Sequence, residues 1–125
     1  YRMILDESLK VDFMRRLRNR VTPKFPKNIF KEPLFMDRAV RYLMENYRSG
    51  EINSAYIYAR LGETAGLFVI ALSEGYHIKD IAKTAKLTPG EVRATVIKAV
   101  RRAQMLNLLP VFDDPMSQEV NFVVS

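Results

Sequence analysis

The chain has 125 residues, 48% of them hydrophobic and 27% charged, and a formal net charge of +6. That length supports one core rather than two, and the apolar share argues against global disorder. No cysteine and a single histidine exclude disulfide frameworks, thiol nucleophiles and cysteine-based zinc sites, and no apolar run reaches the ~18–20 residues of a membrane span.

The charge is unevenly placed. Residues 1–50 carry 12 Lys/Arg against 6 Asp/Glu, whereas residues 113–125 carry three acids and no base. A basic front suggests a polyanionic partner. The composition divides the chain into a basic N-terminal arm or strap (1–34), a helical core (35–112) and an acidic extended tail (113–125). The opening residues lack a signal-peptide layout, so a cytoplasmic protein is expected, or one inside a virion. A start on Tyr1 rather than Met reads as a processed or trimmed product.

In chain order, residues 3–20 read as a helix, with Leu5, Leu9, Phe13 and Leu17 recurring every fourth position. Arg15, Arg16, Arg18 and Arg20 crowd its end. The helix dipole favours cations there, but four arginines in six residues exceed what capping requires. They are candidates for phosphate contacts, each releasing counterions. Pro23, Pro26 and Pro33 then keep the chain extended. Lys24 and Lys27, interleaved with Phe25, suit a strap over nucleic acid, or one pinned to its own core.

Phe35, Met36, Ala39, Val40, Leu43, Met44 and Tyr47 form one face of an amphipathic helix that Gly50 ends. Residues 54–72 are apolar on nearly every side and predict a central helix. Gly62 and Gly66, four apart, allow a close crossing. Glu63 pairs with Arg60 in this reading. His77, at a helix start with no acidic cluster beside it, is a capping or surface residue rather than a metal ligand.

Ile78, Ile81, Ala82 and Ala85 share one helical face. Thr88, Pro89 and Glu91 then supply an N-cap, a first-turn proline and a capping box for a second helix. Val92, Val96, Ala99, Val100, Ala103 and Leu106 continue its apolar stripe. This order, Ile81-Ala82, four residues, Leu87, then Val92, resembles the helix-turn-helix superfamily, in particular the tri-helical units of sigma-factor promoter-reading domains and response-regulator output domains. The likeness covers residues 75–103, about a quarter of the chain. It departs from the pattern at Lys86, where the turn glycine usually stands, so Lys86 must accept a left-handed or strained backbone.

The resemblance implies that the second helix enters a major groove, with Thr88 and Gly90 at its start. Arg93 would read a guanine, and Glu91 a cytosine amino group if not spent on its cap. Lys98, Arg101 and Arg102 would hold phosphates. An alternative is a solvated helix face, with Ile97 suiting a protein contact. After Asn107, residues 108–112 and 120–124 read as two short extended runs, either a hairpin wing or a tail that packs on a neighbouring subunit.

No phosphate-cradling glycine loop, nucleophile with a base, or paired-carboxylate spacing is present. The expectation is an all-α, compact helical bundle, non-enzymatic, needing no cofactor and no metal. Its leading function is nucleic-acid binding, with DNA ahead of RNA, in transcription regulation. A second reading is a self-assembling nucleocapsid or DNA-coating protein, a homo-oligomer without sequence specificity. A third is a docking subunit for a polymerase or primase.

Overall fold

The computed structural model describes residues 7–22 and 32–112, with side chains from Asp12 onward in the first stretch. The chain is all-helical. Its regular elements are α-helices and one 3₁₀ turn, with no strand among the described residues.

The first helix, α1 (Glu7–Arg20), lies within the span expected from the sequence, whose first residues fall outside the described ones. Phe13 and Leu17 are buried, and the Phe13 ring meets that of Phe68 with centroids 6.3 Å apart. Leu34 is buried too. Residues that read as arm and strap therefore contribute to the same core as residues 35–112. Lys24, Lys27 and the rest of residues 23–31 lie outside the described chain.

A 3₁₀ turn, Pro33–Met36, follows Glu32, whose carboxylate accepts the Leu34 N–H at 3.0 Å. Periodicity places Phe35 and Met36 on the next helix. Instead α2 (Arg38–Ser49) starts after Asp37, whose Oδ1 accepts the N–H groups of Ala39 and Val40, each at 3.1 Å. The cap sets the boundary because it satisfies N–H groups that otherwise lack partners. Ala39, Val40, Leu43 and Met44 face inward, and Gly50, at φ 86°, closes the helix.

The apolar stretch 54–72 is not one helix. It divides into α3 (Ser54–Leu61) and α4 (Glu63–Ser73) at Gly62, whose φ of 84° and ψ of 175° suit only glycine. Gly66 has the close approach expected of it. A Cβ there would stand 2.7 Å from Cδ1 of Tyr58, so the tyrosine ring lies against the α4 backbone. Every residue of α4 from Ala65 to Ser73 is buried, and the helix packs against α2, α3 and the last helix. Fully burying side chains such as Phe68, Val69 or Ile70 contributes roughly 1.5–3 kcal/mol each.

The expected Arg60–Glu63 pair does not form. Arg60 stacks on the Tyr56 ring, 3.5 Å from its centroid, and its Nε donates to the Leu108 carbonyl at 3.0 Å. Beyond α4, burial pushes the Glu74 carboxyl up, against the opposing pull of Arg18 and of the nearby Tyr47 hydroxyl.

Two further helices complete the fold. In α5 (Ile78–Ala85), His77 is the N-cap, with Nδ1 accepting the Lys79 N–H at 3.1 Å. Ile78, Ile81 and Ala82 are buried, while Ala85 is half-buried. Lys86 takes the left-handed backbone (φ 62°, ψ 41°). Then α6 (Pro89–Met105) opens with both halves of the capping box. Glu91 N–H donates to Thr88 Oγ1 at 3.1 Å, and Thr88 N–H donates to Glu91 Oε1 at 2.9 Å.

Val92, Val96, Val100 and Ala103 are buried, but the stripe stops short of Leu106, which is 60% exposed. The helix has ended by then, and Asn107, at φ 61°, turns the chain away. Leu109 is buried, and the Phe112 ring lies 5.5 Å from that of Tyr42. Residues 108–112 form no strand. The second extended run, at 120–124, and the acidic tail lie outside the described residues.

Candidate nucleic-acid interface

The side chains assigned to base reading are the ones most tied into the protein. Arg93 grips Glu32 with two hydrogen bonds, Nε to Oε2 at 2.9 Å and Nη2 to Oε1 at 3.2 Å. The Glu32 side chain is 5% exposed and that of Arg93 is 37% exposed. The hydrogen bonds to Glu32 push the guanidinium pKa further up. A bidentate arginine–carboxylate pair of this kind leaves little donor capacity for a guanine. Glu91 and Thr88 are spent on each other in the capping box. Gly90 is exposed and offers backbone alone.

The phosphate candidates divide. Arg101 donates to Asp37 Oδ2 and to Gln104 Oε1, the latter at 3.1 Å. Lys98 and Arg102, one turn apart on α6, are exposed and have no partner among the described residues. On α1, Arg15 and Arg16 share Asp12, with Arg16 Nε at 3.3 Å from Oδ2. Arg18 is exposed and its charge reaches Glu74 and Tyr76. The Arg20 Nε donates to Thr84 Oγ1 at 3.2 Å, which brings the basic end of α1 against α5.

That contact leads to residues the sequence reading passed over. Lys79, Lys83 and Lys86 are all exposed, and none has an ion-pair partner among the described residues. Lys79 and Lys83, four apart, share one face of α5, and Lys86 follows as its left-handed C-cap. Lys79 and Lys83 border an open groove of about 770 Å³ together with Thr22, His77, Leu87 and Pro89. Asp80 is the one acid on that lining. The groove joins the end of α1, the exposed face of α5 and the start of α6. Its signal, lysines at i, i+4 and i+7, was present in the sequence as the polar side of an amphipathic helix.

Among the described residues no group of three or more His, Cys, Asp or Glu could hold a metal ion, and no helix is long and apolar enough to cross a membrane. Glu63 Oε1 is a buried carboxylate oxygen without a hydrogen-bond partner. It lies at the start of α4. Comparison with protein-family models, with curated proteins and with solved structures finds no match to this chain.

Proposed function

We propose that this is a non-enzymatic nucleic-acid-binding protein that grips the phosphates of a duplex, DNA ahead of RNA, without reading its sequence. One observation carries the reading. The polar side chains at the start of α6 are committed internally, whereas Lys79, Lys83 and Lys86 on and after α5, and Lys98 and Arg102 on the later turns of α6, are open to solvent. Positioning contacts of that kind set affinity and salt dependence but carry no sequence information. The helix-turn-helix likeness then describes how α5 and α6 are joined, with α5 as the gripping element. Sequence-indifferent binding also suits the coat-protein reading, in which many copies line one nucleic acid.

The test is fluorescence anisotropy with two unrelated duplexes across a salt series. Equal affinity for both is expected. If Lys79, Lys83, Lys86, Lys98 and Arg102 each neutralise one phosphate, log K falls against log salt with a slope of about −4.5. Replacing Lys79, Lys83 and Lys86 together by Ala should reduce that slope by about 2.7. A preference of ~10³-fold for one sequence would restore base reading. Absence of binding at low salt would leave the docking-subunit reading in its place.

A further inference from the structure

A grip on phosphates accounts for Lys79 and Lys83 but not for the shape of the groove they border. That groove has a volume of about 770 Å³, inside the roughly 300–1,000 Å³ of sites that enclose a small organic group. A phosphodiester backbone is held by cations and needs no concave apolar surface. Val21, Leu87 and Pro89 nonetheless contribute apolar side chains to the lining, and each is half-buried.

Two further side chains on the same lining have the chemistry that meets a nucleobase. His77 is one. Its Nδ1 accepts the Lys79 N–H at 3.1 Å, so the imidazole is held by the backbone while it lines the groove. Aromatic rings, histidine included, stack on bases that have left the duplex, and a ring already fixed gives up little freedom on binding.

Asp80 is the other. It is half-buried, and its carboxylate has no hydrogen bond or ion pair among the described residues, although Lys79 and Lys83 line the same groove. An acid weakens a surface that meets phosphates alone, because the two repel. Toward a base its effect is opposite, since an exocyclic amino group donates to a carboxylate, as cytosine N4 does. Lysine, imidazole, carboxylate and apolar wall all open on one cavity. One nucleotide can therefore set its phosphate on a lysine, its ring against His77 and its amino group on Asp80.

We infer that this groove seats one unpaired, amino-bearing base of the bound nucleic acid, stacked on His77 with its amino group donating to Asp80. The inference rests on the phosphate grip of Lys79 and Lys83 and narrows its ligand to a duplex with a single-stranded extension. The paired region is still held without regard to sequence.

Fluorescence anisotropy on the full chain tests this with one duplex in three forms. One is blunt, one carries a short extension of deoxycytidine, and one carries the same extension of deoxyuridine. Cytosine presents an amino donor where uracil presents a carbonyl. The deoxycytidine form should bind about tenfold more tightly than the deoxyuridine form, the worth of one hydrogen bond to a charged group. Asp80→Asn should bring that ratio close to one, because an amide can accept from one base and donate to the other. His77→Asn keeps an N-cap oxygen for the Lys79 N–H but removes the ring. It should cut the advantage of the deoxycytidine form over the blunt one severalfold. Equal binding of all three forms would overturn the base seat and leave the phosphate grip standing. A preference for deoxycytidine that survives in Asp80→Asn would overturn the assignment to Asp80. Absence of binding to every form at low salt would overturn the grip itself, and the seat with it.

Discussion

The exposed faces of α5 and α6 carry similar numbers of cations and differ in what those cations are doing. On α5 and at its C-cap, Lys79, Lys83 and Lys86 stand in solvent without ion-pair partners among the described residues. On α6, Arg93 is locked to Glu32 and Arg101 to Asp37, both partners lying on the segment that leads into α2. Arg93 and Arg101 therefore staple distant parts of the chain together, whereas Lys79, Lys83 and Lys86 remain available to a polyanion. Formal charge counts both sets alike. Only their surroundings separate structural cations from usable ones.

Three substitutions break or sharpen this contrast. The largest effect is expected for Arg93→Ala, which strands a buried carboxylate and should cost about 3 kcal/mol in urea denaturation. Its effect on nucleic-acid affinity should be small while the variant is folded. If affinity or sequence preference collapses without a stability loss, Arg93 is a contact residue and the contrast fails. Next comes Lys86→Gly, which tests whether one residue serves function at the expense of the fold. Removing a side chain from the left-handed position should raise stability by about 1 kcal/mol. The same change should lower the salt slope of binding by about 0.9. A variant that gains stability and keeps its slope would remove Lys86 from the gripping face. The smallest effect is expected for Arg101→Ala, about 0.5 kcal/mol by thermal denaturation, because the Arg101 side chain is 51% exposed. A loss as large as that of Arg93→Ala would mean that the two staples are equivalent.

Local signals in the sequence were legible and distant ones were not. The Thr88–Glu91 capping box, the left-handed Gly50 and the His77 cap each depend on a few adjacent residues, and all three stand where the sequence placed them. The break at Gly62 was hidden because apolar residues continue on both sides of it. Arg60, Glu63 and Thr64 do flank the boundary, but Gly62 reads there, together with Gly66, as part of a close helix crossing. Arg93 looked available because its partner lies 61 residues away, on a stretch that reads as strap. The Arg60–Glu63 pairing failed for a related reason, since the Leu108 carbonyl, 48 residues away, takes the Arg60 Nε instead. The lysine face of α5 was visible as a spacing. Its significance emerges only once neighbouring cations prove to be occupied.

The crossing at Gly66 bears on the order in which the molecule is assembled. Tyr58 and Gly66 are eight residues apart, so their contact closes a short loop at low entropic cost. Bringing Glu32 to Arg93 spans 61 residues and costs about 2 kcal/mol more in loop closure. The hydrophobic centre can therefore form from neighbours, whereas the ionic ties between remote segments favour a body already gathered around it.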